Sequence, residues 1–272
     1  MHLSHRHVVI TGGASGIGRG LALRCAREGA RGIVVSDIDA QGALSVAAEI
    51  EAIQPGHGLA VPCDVAVGQQ LEDLIAAAHG RFGDIDLFCA NAGIGGGTGL
   101  EETSEVKWDE AFAVNVRAHI TAARLLVPDW VRRGQGYFLS TASAAGLLTV
   151  IGSAPYAVTK HAAVAFAEWL AITYGDRGVR VSCLCPMAVQ TQLLSDGLSQ
   201  PGEAGAGMWA VTQAGAVLDP DEVAEAVIQG IEQERFLILP HPEVQTMFAH
   251  KAADPDGWIG VMRQARSMAG AA

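Results

Sequence analysis

The sequence predicts a doubly wound α/β fold, in which a parallel seven-stranded sheet carries helices on both faces. Short apolar runs alternate with longer helical segments along the 272 residues, and this alternation is typical of strand–helix–strand units. Half of the residues are hydrophobic and only 17% are charged, which suits strands buried on both faces. The length allows one large core and no shift in composition divides the chain, so we expect a single domain over residues 1–272.

The first half of the chain contains four of the predicted strands. They lie at residues 8–11, 33–36, 59–63 and 87–90, and the helices between them lie near 16–29, 40–53 and 69–81. Pro55 and Gly56 end the second helix, and Gly83 with Asp84 ends the third. The repeated order of strand and helix predicts that these strands are parallel.

The second half supplies the other three strands, at residues 137–140, 179–184 and 236–239, in a predicted order 3-2-1-4-5-6-7. A long helical segment is predicted at 104–133 and an apolar helix at 156–174. Residues 187–218, with scattered Gly and Gln, are expected to form a mobile lid. Residues 241–272 form a C-terminal extension, which we expect to cover an active site or an interface.

A glycine-rich turn joins the first predicted strand to the first helix. Gly12, Gly16 and Gly18 form a variant of the G-x-G-x-x-G pattern, which lets the backbone and the helix N-terminus approach a pyrophosphate. Asp37 ends the next apolar run, nineteen residues after Gly18. This position suits a carboxylate bonded to an adenosine ribose, and capping of the following helix is the alternative role. A carboxylate repels a 2′-phosphate, so the pattern predicts NAD rather than NADP.

Three polar residues with a fixed spacing predict acid–base chemistry on an alcohol or ketone. Ser143 precedes Tyr156 by thirteen residues, and Tyr156 precedes Lys160 by four. Residues four apart share a helix face, so Lys160 can favour the phenolate form of Tyr156. Ser143 can then hydrogen-bond the substrate oxygen whose proton Tyr156 takes or gives. A Tyr-x-x-x-Lys pair alone is more often a solvated surface pair, and only the glycine-rich turn raises its significance.

With these motifs in this order, the chain resembles the short-chain dehydrogenase/reductase family in its compact, Rossmann-like form. The resemblance implies that Tyr156 is the acid/base, that Ser143 orients the substrate oxygen, and that Lys160 lowers the pKa of Tyr156 and binds the nicotinamide ribose. Asn115, which lies in a Val-Asn-Val segment, matches the position of the family's fourth catalytic residue. From the residues alone it is either a satisfied core Asn or a kink that holds a relay water.

The resemblance also implies a set of cofactor contacts. Asp64 and Val65 match the family's adenine-contacting pair, residues 91–93 its fourth-strand motif, and 186–191 its segment over the nicotinamide, with Met187 in place of the usual Gly. The cofactor-binding residues implied in this way are Gly12, Ser15, Gly16, Ile17, Gly18, Asp37, Asp64, Val65, Asn91, Ala92, Gly93, Tyr156, Lys160, Pro186, Val189 and Thr191.

The function that follows is hydride transfer between NAD and a secondary alcohol or ketone. Residues 95–99, 144–153 and 187–218 contain no Lys or Arg and many apolar side chains, which favours a neutral, hydrophobic substrate. One alternative is an extended-type epimerase or dehydratase, but Ser15 replaces the middle glycine of that group's turn. Another is a nucleotide-sensing regulatory protein without turnover.

Composition excludes several other classes of partner. The formal charge of −11 argues against nucleic acid and anionic membrane surfaces. No apolar run reaches eighteen residues and the N-terminus lacks a signal-peptide core, so we expect a cytoplasmic protein. The five cysteines are expected to be reduced, and the spacing of the nine histidines predicts no catalytic metal. The helix at 156–174 is apolar nearly all round and needs burial on several sides. The family resemblance implies that it packs against the same helix of a second subunit, in a homodimer or homotetramer.

Overall fold

The computed structural model describes residues 1–97 and 99–269. Seven strands form one sheet in which every neighbouring pair is parallel, in the order β3-β2-β1-β4-β5-β6-β7. The strands are β1 His7–Thr11, β2 Gly32–Asp37, β3 Gly58–Pro62, β4 Leu87–Ala90, β5 Gly136–Thr141, β6 Val179–Leu184 and β7 Leu237–Ile238. The predicted strand order is confirmed.

Twelve α-helices lie in the described part of the chain. They are α1 Gly16–Arg27, α2 Ala40–Ile53, α3 Gly68–Phe82, α4 Glu105–Phe112, α5 Ala118–Arg133, α6 Ala145–Leu148, α7 Ala154–Tyr174, α8 Gln192–Leu198, α9 Gly202–Gln213, α10 Pro220–Glu232, α11 Glu243–Ala253 and α12 Pro255–Ala269. A π-helical turn, Ala113–Arg117, joins α4 to α5, and a short 3₁₀ turn, Gly175–Arg177, follows α7.

The core consists of two hydrophobic clusters, one on each face of the sheet. Successive strand residues point to opposite faces, so in β1 Val9 packs with α3, α5 and α7, whereas Val8 and Ile10 pack with α1, α2 and α10. The residues of β1, β2, β4 and β5 are almost completely buried, as their near-continuous apolar runs predict, whereas the edge strand β3 is largely half-buried. Helices therefore cover both faces, and the predicted doubly wound fold is confirmed.

The structure differs from the sequence prediction mainly in the second half. The segment at 104–133 is continuous, but the π-helical turn interrupts its α-helical register. The apolar loop predicted at 144–153 contains α6, the lid segment contains α8 and α9, and the extension forms α11 and α12. In the part of the chain described here, no helix combines the length and the apolar character needed to span a membrane.

Candidate active site

The glycine-rich turn lies where β1 ends and α1 begins, and its shape requires glycine. Gly12 has φ of +64°, and a Cβ there would lie 2.8 Å from the Cα of Ala92. Asn91 holds the turn because its Nδ2 donates to the carbonyls of Thr11 and Gly12, at 3.0 and 3.2 Å. The first turn of α1 contains no acidic side chain, and its N-cap residue Ser15 leaves the N-terminal amides free of a side-chain cap. This cradle fits the pyrophosphate of a dinucleotide.

Asp37 lies at the carboxyl end of β2, beside the turn. One carboxylate oxygen accepts the backbone N–H of Ala14 at 3.0 Å, and the other accepts that of Asp39 at 3.0 Å. The N-cap of α2 is Asp39, whose side chain accepts the amides of Gln41 and Gly42. Helix capping is thus not the role of Asp37, which connects the turn to the second strand.

An open cleft of about 640 Å³ lies next to Asp37, lined by Ile38, Asp64, Ile94, Val114 and Arg117 among others. The Asp64 side chain accepts the N–H of Ala66 at 2.9 Å, which fixes the loop after β3. Val65 is buried in the core and Asp64 lines the cleft. Contact of these two residues with the adenine end of a dinucleotide stays a prediction.

Ser143 and Tyr156 meet beyond the carboxyl end of β5. The Ser143 hydroxyl donates to the Pro186 carbonyl at 3.5 Å and accepts the Ala145 N–H at 3.1 Å. Burial raises the pKa of Tyr156, and the neighbouring Ser143 hydroxyl acts in the opposite direction. The two residues that the sequence spacing selected are therefore close neighbours.

Lys160 lies one turn further along α7 and is buried. Its Nζ donates to the Thr141 carbonyl at 3.0 Å and lies 5.6 Å from the centre of the Tyr156 ring. Burial lowers the pKa of Lys160 to about 8. The sequence analysis expected Lys160 to lower the pKa of Tyr156, but here burial of the phenol prevails and that pKa is raised. The main cause is desolvation of the phenol, while the ammonium group donates to the Thr141 carbonyl.

Asn115 is completely buried within the π-helical turn, where its side chain is well paired. Its Oδ1 accepts the Ile94 N–H at 2.9 Å, while its Nδ2 donates to the Ile94 carbonyl at 2.9 Å and to Thr159 Oγ1 at 3.1 Å. A Cβ at Gly93 would lie 3.2 Å from Lys160 Nζ and 3.4 Å from Asn115 Oδ1. Asn115 and Lys160 therefore border the same space. The paired side chain is what a satisfied core Asn requires, and the relay water stays a prediction.

The segment after β6 closes over this region. The Pro186 carbonyl accepts the Ala144 N–H at 2.8 Å, and Val189 forms a parallel bridge with Leu218. Thr191 begins α8 as its N-cap, and a Cβ at Gly16 would lie 2.9 Å from its Cγ2. Met187 does not adopt a positive φ, so glycine is not required at this position. Residues 186–191 thus connect the Ser143 region to the glycine-rich turn.

His241, which the sequence analysis did not select, holds this segment in place. Its Nδ1 accepts the Met187 N–H at 3.1 Å, and its Nε2 donates to the Ala188 carbonyl at 3.0 Å, which fixes one neutral tautomer. The side chain is 1% exposed. A His-Pro pair after a strand carries no sequence signal for this role, because its partners lie 53 and 54 residues away.

Among the described residues, no group of three or more His, Cys, Asp or Glu side chains is arranged to hold a metal ion. All five cysteines are buried and free. Cys183 and Cys185 point to the same face of β6, with their sulfur atoms 3.8 Å apart, as strand alternation predicts.

The glycine-rich turn, Asp37, the cleft and the Ser143–Tyr156–Lys160 cluster all lie at the carboxyl edge of one parallel sheet, where doubly wound folds bind ligands. Fold and site together define a dinucleotide-dependent oxidoreductase.

Comparison with known proteins agrees. A family model described as short chain dehydrogenase matches residues 6–201. The 1-deoxy-11-beta-hydroxypentalenate dehydrogenase of Streptomyces exfoliatus is 37% identical over 90% of this chain and 86% of its own length. Levodione reductase of Leifsonia aquatica is 32% identical over 72% of this chain and 73% of its own length. A short-chain dehydrogenase/reductase of Burkholderia phymatum, solved in complex with NAD, superposes with a TM-score of 0.84 at 29% identity, covering 94% of this chain and 96% of that one.

The chain belongs to the short-chain dehydrogenase/reductase family. It is an oxidoreductase that acts on hydroxyl or keto groups with a nicotinamide cofactor.

Proposed function

We propose that this protein is an NAD-dependent dehydrogenase of a neutral, hydrophobic secondary alcohol, which also reduces the corresponding ketone. The observation that carries the proposal is the proximity of Ser143 to Tyr156, with Lys160 on the next turn of α7, at the same sheet edge as the glycine-rich turn. The same elements would form one catalytic domain over residues 1–272, with residues 187–218 as a mobile lid.

In the oxidation direction, Tyr156 removes the proton of the substrate hydroxyl as the hydride leaves the carbon that bears this hydroxyl. Ser143 donates a hydrogen bond to the substrate oxygen and so keeps it within reach of the Tyr156 oxygen. The cofactor, when bound, supplies the hydride acceptor. Lys160 binds the nicotinamide ribose, and Asn115 holds a water that exchanges protons with Lys160. In ketone reduction the protonated Tyr156 gives its proton back.

The preference for NAD rests on the Asp37 carboxylate. Each of its oxygens accepts one backbone N–H, which keeps the group in place and leaves acceptor capacity for the hydroxyl groups of a ribose. A 2′-phosphate at this position would meet a negative charge. The Burkholderia structure in complex with NAD supports the same choice. We expect kcat/KM to be higher with NAD than with NADP, and a clear preference for NADP would contradict this.

The inference that the substrate is neutral depends on where the basic residues of the C-terminal extension lie. The cations of the extension are Lys251, Arg263 and Arg266. Lys251 donates to the Leu147 carbonyl, Arg266 pairs with Glu203, and Arg263 lines a surface hollow formed by residues of α12 alone. One observation favours a second candidate: the Streptomyces exfoliatus relative is named for a pentalenate, which is a carboxylate. A carboxylated alicyclic alcohol is therefore the alternative substrate class.

A matched pair of substrates separates the two candidates. We would measure NADH formation with 1-cyclohexylethanol and with 4-(1-hydroxyethyl)cyclohexane-1-carboxylate, which differ only in the ring carboxylate. The proposal expects the higher kcat/KM for the neutral alcohol, and a preference for the carboxylate would establish the alternative. Turnover of neither compound, or of other secondary alcohols, together with tight NADH binding would instead indicate a nucleotide sensor.

A further inference from the structure

The single-turn helix α6 begins two residues after Ser143 and is too short to be stable without contacts from the rest of the chain. Its four residues, Ala145–Leu148, are all buried. One helical turn gains too few hydrogen bonds to be stable alone, and the last carbonyls of any helix lack intrahelical partners. Buried carbonyls at the end of α6 therefore need donors from elsewhere in the chain.

The C-terminal extension supplies those donors from two side chains. Lys251 of α11 donates from Nζ to the Leu147 carbonyl at 2.6 Å, and Trp258 of α12 donates from Nε1 to the Leu148 carbonyl at 3.2 Å. The two bonds join residues 104 and 110 positions apart. Lys251 also places a positive charge at the C-terminus of a helix, where it is favoured. Together the two residues act as a long-range C-cap of α6.

The opposite side of α6 packs tightly against α7, the helix that contains Tyr156 and Lys160. A Cβ at Gly146 would lie 2.5 Å from the Lys160 carbonyl oxygen. At the beginning of α6, the Ala145 N–H donates to Ser143 Oγ at 3.1 Å. A shift of α6 would therefore move the hydroxyl that neighbours Tyr156.

The residue after α6 is held in an unfavourable conformation. Thr149 has φ of +75°, in a region that a β-branched residue rarely adopts. Such a conformation persists only when surrounding contacts impose it. The Thr149 N–H donates to the Ala145 carbonyl at 3.1 Å, and Lys251 and Trp258 bind the two preceding carbonyls.

We propose that Lys251 and Trp258 are positioning residues, which hold α6 and thereby fix the Ser143 hydroxyl against Tyr156. The inference about α6 rests on contacts alone, whereas its effect on turnover rests on the proposed role of Ser143. Arg266 of the extension is also paired with Glu203 of α9, so the extension connects α6 to the predicted lid. The C-terminal segment would then be part of the catalytic unit.

The first test measures amide hydrogen exchange in the full chain with no substrate added. Trp258→Phe keeps most of the ring but removes the donor to Leu148. We expect the amides of residues 147–149 to exchange about tenfold faster, as for one lost hydrogen bond. The matched control is Trp130→Phe, which removes an indole donor to the Ile85 carbonyl at the opposite, amino edge of the sheet. Unchanged exchange at 147–149, or the same increase in both variants, would overturn the proposal.

The second test measures turnover of 1-cyclohexylethanol with NAD. Lys251→Met is expected to lower kcat about tenfold, with the Kd for NADH unchanged, because α6 moves while the glycine-rich turn does not. Lys251→Arg retains a cationic donor and should restore most of kcat. A kcat equal to that of the wild type in Lys251→Met, or no rescue by Lys251→Arg, would count against positioning. If the wild type oxidises no alcohol, the proposed function fails, and the exchange test alone decides the role of Lys251 and Trp258.

Discussion

Two opposing effects act on the pKa of the half-buried Tyr156. Desolvation of the phenol raises this pKa, whereas the neighbouring Ser143 hydroxyl lowers it and so favours the phenolate that alcohol oxidation needs. The proximity of the two residues therefore affects more than orientation. It joins the acid/base to the residue that also binds the substrate oxygen in the proposed mechanism.

Tyr156→Phe is expected to lower turnover by roughly 10²–10⁴-fold while NADH binding stays close to that of the wild type, since only the acid/base group is lost. Turnover and NADH fluorescence titration measure the two effects. Tyr137→Phe is a matched control, because Tyr137 likewise has a serine hydroxyl beside its phenol oxygen, that of Ser182 at 2.7 Å, but lies within β5, away from the predicted site. Equal losses of turnover in both variants would contradict the role of Tyr156.

Lys160 makes a prediction about stability and pH. Its pKa in the folded protein, about 8, lies below the ordinary value of 10.5. Between these values the unfolded chain binds more protons, so this group makes the folded state more stable as pH rises. Lys160→Met removes that dependence. Between pH 7 and 9.5, the free energy of unfolding of the wild type, measured in urea, should therefore rise by about 2 kcal/mol relative to that of the variant. Parallel curves of unfolding free energy against pH would show that burial does not disfavour the charged form of Lys160.

Sequence spacing was enough to find Ser143, Tyr156 and Lys160, because two of them share a helix face and the third follows the adjacent strand. It was not enough to find His241 or to predict the direction of the Tyr156 pKa. Both depend on burial and on contacts between residues distant in the chain, which local patterns do not contain.

At the scale of elements, the π-helical turn explains how the buried polar side chain of Asn115 is accommodated inside a long helical segment. The extra residue in the turn directs Asn115 out of the α-helical ladder and toward the Ile94 backbone, which lies in the loop after β4. The turn thereby ties the long helix to the strand that also carries Asn91.

Asn115→Ala leaves both backbone groups of Ile94 without their side-chain partner, so we expect a loss of about 3 kcal/mol in the free energy of unfolding. Thr159→Val removes only one partner of the Asn115 amide and should cost about 1 kcal/mol. Urea denaturation measures both. Equal effects would mean that the Ile94 bonds do not contribute to stability.

The sequence analysis assigned no helices to α6, α8 and α9. These helices carry weak local signals and depend on contacts with residues distant in the sequence. The two helices at 192–213 are rich in Gly and Gln, and α6 is too short for helical periodicity. Strands, by contrast, were located correctly because burial on both faces gives continuous apolar runs.

At the scale of the whole molecule, α7 carries an exposed apolar face. Val158, Trp169 and Ile172 are 45%, 53% and 76% exposed, and Ile120 of α5 is 41% exposed. A surface of this kind is characteristic of an interaction site. The proposed homodimer or homotetramer would bury it.

Ile172→Glu should dissociate the oligomer, because it places a charge within the apolar face at little cost to an isolated subunit. Light scattering coupled to size exclusion gives the mass. Val106→Glu is the control, since Val106 is 64% exposed but lies on α4. A wild type that elutes as a monomer, or a variant that keeps the wild-type mass, would rule out this interface.

The contacts of α6 also bear on how the enzyme is made. The dinucleotide half lies in roughly the first hundred residues and leaves the ribosome early, whereas Lys251 and Trp258 follow their partners in α6 by 104 and 110 residues. A nascent chain would therefore acquire its nucleotide fold well before α6 receives its two donors. Catalytic competence would arrive only after Trp258 has left the ribosome, and a chain truncated before Lys251 would still bind the cofactor but turn over little substrate.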